Sequence, residues 1–326
     1  MKKIIIPIIC IMLLVSLFFL GDFNKEKENK LPKIKVAEVT HSIFYTPLYV
    51  AQALGYFEEE GLDVEIILTS GANNVAAAVM SGDVQIGFCG SEQTLYIYNE
   101  GAKDYLVNFA GMTKRDGSFL VSREPIDKFG LSKLSGVILG GRQGGMPAMT
   151  LNYTLHKNNI NSLVVDTSID FAGLSGTFIG GNGDYVTLFE PTALALEKGG
   201  YGYVVASIGE LGGEVPYTTF NALKSYLNDN PETIERFIKA IQKGLNYTLN
   251  NDSKIIGEIL INYFPDTSLN DIIIVVDRYK DSDSWYKTTY ITESGYNHMQ
   301  EIVDFNGFLT KKVDYSVLVN NTYNNE

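Results

Sequence analysis

Between Thr40 and Glu92 the chain reads THSIFYTPLYVAQALGYFEEEGLDVEIILTSGANNVAAAVMSGDVQIGFCGSE, and no other stretch constrains the fold as strongly. Ile34 to Val39 just before it, then Leu62 to Leu68 and Val84 to Phe88 within it, have the apolar, β-branched character of strands. Helical segments separate them, and each strand hands over through a turn rich in Gly, Ser or Asn. Strand alternating with helix predicts an α/β fold whose mostly parallel sheets are flanked by helices. Each turn also leads into a helix N-terminus, where unpaired N–H groups and the positive end of the dipole hold carboxylate, sulfonate or carbonyl groups. Thr46 is expected to cap the first of these helices, with Pro47 at its first position.

A chain of 326 residues is too long for one small domain, so two lobes are expected. The first strands run on through Val107 to Met112, the turn TKRDG and the run SFLVS, and the second lobe is expected from about Pro125. It holds strands at Val137 to Gly140, Leu163 to Val165, Val186 to Phe189 and Tyr203 to Ala206. From Val215 the chain crosses back into long helices, one with Ile234, Phe237, Ile238, Ile241 and Leu245 on a single face. The expected division is residues 34–122 with 216–326 as lobe 1 and 123–215 as lobe 2. Ahead of them, residues 1–20 place two lysines before an unbroken apolar run, as an export signal or retained membrane anchor does, and the polar residues 21–33 form a tether. The protein is thus expected outside the cytoplasm, membrane-attached or periplasmic. Cys10 lies inside the apolar run, which leaves Cys89 alone in the folded part and allows no internal disulfide there.

A formal net charge of −12 argues against nucleic acid as a partner, because no basic stripe is available to neutralise phosphates. His41, His156 and His298 are scattered and lack metal-ligand spacing, so neither a metal nor another cofactor is expected. The nucleophile elbow, the phosphate loop and the dinucleotide fingerprint are all missing, and GGRQGG at 140–145 has the spacing of none of them. No catalytic residues are assigned, and the chain reads as a binding protein rather than an enzyme.

Five turns fall at the carboxyl ends of expected strands, where ligands bind in open α/β sheets: His41 to Tyr45, Gly71 to Asn74, Gly90 to Glu92, Arg142 to Met146, and Phe189-Glu190. Together they outline a cleft. Phe44, Tyr45 and Phe189 offer ring faces, while Ser42, Ser91 and Thr113 offer hydroxyls. Asn73, Asn74, Gly90, Gly144, Gly145 and Met146 complete the candidate lining. Glu92 and Glu190 would repel a bare anion and favour an amine, an amidine or a ring with N–H donors, and Arg142 pulls the other way. For Glu190 a second reading stands beside ligand contact: capping of the helix TALALEKGG.

TPLYVAQALGYFEEEGLDVEI, SGDVQIGFCGSE, the glycine turn before a helix at 140–146 and LFEPTALALEKG resemble the nitrate, taurine and sulfonate branch of ABC-transporter substrate-binding proteins, which includes binders of thiamine pyrimidine precursors. The resemblance runs from about Ile34 to Val319. It implies a two-lobed periplasmic-binding-protein fold of type II, hinged on two crossover strands, closing on its ligand as a monomer and docking on a permease with its ATPase. It implies a ligand of the sulfonate or taurine kind, or of the thiamine-pyrimidine kind, contacted by Ser42, Phe44 and Tyr45, by Asn73 and Asn74, by Gly90, Ser91 and Glu92, and by the turn from Arg142 to Met146. Two alternatives remain: a pyrimidine-forming enzyme of the same fold, for whose cysteine cluster only Cys89 is present, and a ligand-sensing module.

Overall fold

Two five-stranded sheets carry the chain. The computed structural model describes residues 31–326; the expected export segment, 1–20, and nearly all of the tether, 21–33, lie outside the described residues. Lys33–Glu326 forms a single compact unit.

The first sheet contains β1 (Lys33–Glu38), β2 (Asp63–Leu68), β3 (Ile86–Gly90), β4 (Leu106–Thr113) and β10 (Thr218–Leu223), in the order β2-β1-β3-β10-β4. The second contains β5 (Ser118–Ser122), β6 (Gly136–Leu139), β7 (Leu163–Asp166), β8 (Tyr185–Phe189) and β9 (Tyr203–Ser207), in the order β7-β6-β8-β5-β9. The two orders are the same pattern used twice. In each sheet one strand opposes its neighbours: β10 runs antiparallel to β3 and β4, and β5 runs antiparallel to β8 and β9. These are the strands by which the chain arrives from the other sheet. It leaves β4 at the carboxyl edge and enters the second sheet from that same side after four residues, Lys114 to Gly117, so it must run against the strands already there.

This moves one expected boundary. Ser118–Ser122 was placed with the first lobe, yet it pairs with β8 in the register Phe119↔Leu188 and with β9 in the register Leu120↔Ala206. A five-residue run buried on both faces satisfies either sheet, and pairing decides between them.

Helices cover both sheets. In the first half they are α1 (Thr46–Ala53), α2 (Tyr56–Glu59), α3 (Ala72–Ser81) and α4 (Glu92–Asn99); in the second, α5 (Met146–Lys157), α6 (Leu174–Ile179), α7 (Thr192–Lys198) and α8 (Ile208–Gly212). After β10 come α9 (Lys224–Asp229), α10 (Pro231–Asn250), α11 (Ser253–Leu260), α12 (Leu269–Asp281), α13 (Glu293–Phe305) and α14 (Tyr315–Leu318). α10 buries Ile234, Phe237, Ile238, Ile241 and Leu245, the five residues expected on one face. It lies so close to α1 that a Cβ at Gly244 would collide with the Pro47 carbonyl. α12 and α13 start on side-chain caps, Ser268 Oγ accepting the Asp271 N–H and Thr292 Oγ1 accepting the Gly295 N–H. At α1 the expected cap is displaced. A single 3₁₀ turn, Ile43–Tyr45, precedes that helix; Ser42 Oγ accepts the Phe44 N–H at 3.2 Å, and Thr46 Oγ1 donates back to the Ile43 carbonyl at 2.6 Å.

Candidate ligand-binding cleft

The turn after β1 buries two rings where the two sheets meet. Trp285 Nε1 donates to the Phe44 carbonyl at 2.8 Å and fixes the 3₁₀ turn. The Phe44 ring then lies 4.9 Å from Tyr279, 5.8 Å from Phe189 and 6.1 Å from Tyr217, centroid to centroid. Tyr45 packs edge-on to Phe88 at 4.5 Å, and its buried hydroxyl is directed at Thr218. Phe44 belongs to the first sheet's side and Phe189 to the second's. Gly117 lets them meet, since a Cβ there would stand 2.7 Å from one ring and 2.8 Å from the other.

Beside these rings lie two buried carboxyl groups. Glu92 opens α4 and is 5% exposed; its Oε1 accepts from Gln93 Nε2 at 3.2 Å, and its Oε2 has no hydrogen-bond partner. The group folds back over Gly90, where a Cβ would collide with it. Asp116, 1% exposed, sits in the crossing from β4 to β5. Its Oδ1 accepts from the Ser118 N–H at 2.7 Å and the Ser118 hydroxyl at 2.6 Å, whereas Oδ2 is unpartnered. Burial pushes Asp116 up to about 6 and Glu92 above the usual carboxylate range, in each case against hydrogen bonds that favour the charged form.

The strand register sets the two on either side of β10. Thr218, the first residue of β10, pairs with Gly90 on one side and Thr113 on the other. Glu92 follows the first of these by two residues and Asp116 the second by three. Tyr217, just before Thr218, feels the charge of both, and desolvation holds its phenol well above the ordinary value. The two crossings also bond to each other: Val215 N–H donates to the Lys114 carbonyl and Tyr217 N–H to the Thr113 carbonyl, each at 3.0 Å.

Of the candidate residues, Phe44, Tyr45, Gly90, Ser91, Glu92 and Phe189 gather at this junction, with Ser42 behind them shaping the turn. Ser91 is 1% exposed and its Oγ is unpartnered. The rest are committed elsewhere. Thr113 Oγ1 accepts the Thr218 N–H at 2.9 Å and so ties β10 to β4. Asn73 and Asn74 are exposed, and Asn74 Nδ2 donates to the Ser70 carbonyl at 2.7 Å. Arg142 is exposed and pairs with Asp170 at 2.9 Å, so it does not offset the cleft carboxylates. Gly144 lies against Phe308, Gly145 precedes α5 in extended backbone, and Met146 is buried at its start.

Glu190 takes the capping role and adds a second. Its Oε2 accepts the Leu194 N–H at 2.8 Å in the first turn of α7, and its Oε1 pairs with Arg278 of α12, which also pairs with Glu197. Tyr279 OH accepts the Glu190 N–H at 3.2 Å. Both carboxylate oxygens are thus engaged in joining α7 to α12. Sequence reasoning missed Asp116 and Tyr217. The signal for Asp116 is an Asp-Gly pair between two predominantly apolar runs, and that pattern reads first as an exposed turn.

The sequence profile of the family described as NMT1/THI5 like matches residues 43–255. Bacillus subtilis (strain 168) has a protein, YtlA, named as a candidate binding protein, which is 43% identical over 299 residues and covers 90% of both chains. A shorter match, 40% identical over 52 residues, or 16% of this chain and 15% of the relative, is to 4-amino-5-hydroxymethyl-2-methylpyrimidine phosphate synthase of Aspergillus parasiticus. Among solved structures, the alkanesulfonate-binding protein SsuA of Xanthomonas axonopodis pv. citri, bound to MOPS, superposes with a TM-score of 0.69 at 13% identity, covering 89% of this chain and 98% of that one. At that identity the likeness carries the fold alone, the periplasmic-binding-protein fold.

Proposed function

The chain belongs to the NMT1/THI5-like family, and from that premise we propose that it is an extracytoplasmic solute-binding protein, which captures a small organic molecule between its two halves and presents it to an ABC-type permease with its ATPase. The observation that carries this is the junction itself. Unpartnered oxygens of Ser91, Glu92 and Asp116 are buried beside the rings of Phe44, Tyr45 and Tyr217, where strand ends of both sheets converge. Buried polar atoms left unpaired cost free energy unless something binds them. Aromatic rings with a few convergent polar groups are the usual lining of a small-molecule pocket.

On this reading residues 33–113 with 218–326 form one lobe and 118–207 the other, and the paired crossings are the hinge. The protein works as a monomer outside the cytoplasm, exported by an N-terminal signal or anchor and either membrane-attached or periplasmic. The likeness to YtlA supports a binding role; the likeness to the pyrimidine phosphate synthase covers too little of either chain to support turnover. Thermal denaturation of the full chain against a panel of small solutes tests the proposal, because a ligand that binds only the native state raises its melting temperature. A panel that produces no shift, together with mass spectra free of any co-purified small molecule, would count against a binding role.

A further inference from the structure

We infer that the solute is an organic cation, whose ammonium or amidinium group sits between Glu92 and Asp116 while its carbon body lies against Phe44, Tyr45 and Tyr217. The inference rests on the junction being the binding site and adds the ligand's charge to that reading. Two buried carboxyl groups, each with an oxygen that makes no hydrogen bond, both act with their charge on the Tyr217 phenol. The nearby cations are occupied: Lys114 and Arg115 both turn to Asp283, at 2.7 and 3.3 Å, and Arg278 is held by Glu190 and Glu197. Arg115 Nε is a buried donor without a partner, but its guanidinium is already opposed by Asp283, so the charge left uncompensated at the junction is negative. An anion entering here would meet two carboxylates and desolvate against them. A cation would favour the ionised form of both, donate to the free oxygens of Glu92, Asp116 and Ser91, and gain from the ring faces.

The test is calorimetric titration of the full chain in mild detergent at pH 7.5 with size-matched probes: benzylamine and benzamidine as cations, benzoate and benzenesulfonate as anions, benzyl alcohol as the neutral member. The cations are expected to bind and the anions not. Asp116→Asn and Glu92→Gln, each checked for an intact cooperative melt, are expected to weaken the cations by about tenfold or more, the loss of one charge-assisted hydrogen bond. Lowering the pH to 5, below the value to which burial raises Asp116, is expected to weaken them as well. Binding of the anions or the alcohol in preference to the cations overturns this inference and leaves the binding role standing. So does cation affinity unchanged in both variants. Silence from every probe overturns this inference, and the binding role then stands or falls on the solute panel and the mass spectra.

Discussion

Replacing Asp116 by Asn isolates the cost of holding an unpaired carboxylate at the junction. Its two partners on Oδ1, the Ser118 N–H and hydroxyl, survive the change because the amide oxygen accepts them equally well. The charge disappears. The carboxyl is 1% exposed, and its raised value means that the folded state holds the proton more tightly than the unfolded chain does. Below about pH 4 both states are protonated and the group contributes nothing to the pH dependence. Between 3.8 and about 6 the unfolded chain has lost the proton that the folded one retains, so stability falls as pH rises, and above that window the loss is complete. At about 1.36 kcal/mol per pH unit the rise amounts to about 3 kcal/mol, set by desolvation against the opposing bonds from Ser118, with the nearby Tyr217 phenol acting in the same sense as Ser118. The amide brings a pH-independent cost of its own, because its N–H₂ replaces the unpartnered Oδ2. The quantity to measure is therefore the difference between variant and parent at pH 8 minus the same difference at pH 4. Urea denaturation of the chain beginning at Leu31 should give this as a relative gain of about 2–3 kcal/mol for Asp116→Asn. A difference that stays constant across that range, or that moves against the variant as pH rises, would refute the reasoning.

Three further outcomes follow from the same contacts. Arg278→Ala strands Glu190, a 2%-exposed carboxylate, and should cost about 3 kcal/mol, while the double change with Glu190→Gln should recover most of that in a double-mutant cycle; a coupling near zero would mean the pair is idle. Gly117→Ala drives a methyl between Phe44 and Phe189, so it should destabilise by about 1–3 kcal/mol and enlarge the radius measured by small-angle scattering, and an unaltered radius would speak against those rings holding the halves together. Cys89 is fully buried and desolvation pushes its thiol up to about 12, so it should resist a thiol reagent at pH 8 until urea unfolds the chain; rapid labelling of the native protein would contradict its placement.

Features of short range were legible in the sequence. The spacing of Ile234, Phe237, Ile238, Ile241 and Leu245 named the buried face of α10, and the turn residues after β1, β3 and β8 marked strand ends that meet in space. What stayed hidden depends on partners distant along the chain. Glu190 reads as capping or ligand-binding until Arg278, 88 residues later, is seen to hold it. Arg142 reads as a cleft cation until Asp170 claims it at the surface. SFLVS fits either sheet by composition, and only the register with Leu188 and Ala206 assigns it. Asp116 is the sharpest case, since a polar turn of five residues ordinarily lies in water. Here it is buried because both sheets meet over it.

The reversed strands explain why the unpaired charge lies where it does. Because β4 and β9 are edge strands while β5 and β10 each occupy the fourth position in their sheet, both crossings run from the edge strand of one sheet to the strand beside the edge of the other. The crossings therefore run side by side, bonded as a ribbon through Val215 to Lys114 and Tyr217 to Thr113. Asp116 rides on one crossing and Tyr217 on the other. A ligand that pairs with Asp116 and packs on Tyr217 consequently grips both hinge strands at once, and its binding energy is delivered where relative motion of the halves must originate. The free-energy cost that Asp116→Asn would remove from the ligand-free protein is then the same quantity that a cation recovers on arrival. Stability at pH 8 and affinity for the cation should move in opposite directions in every variant that neutralises Asp116 or Glu92. A variant that lost both would show that these carboxylates serve packing alone.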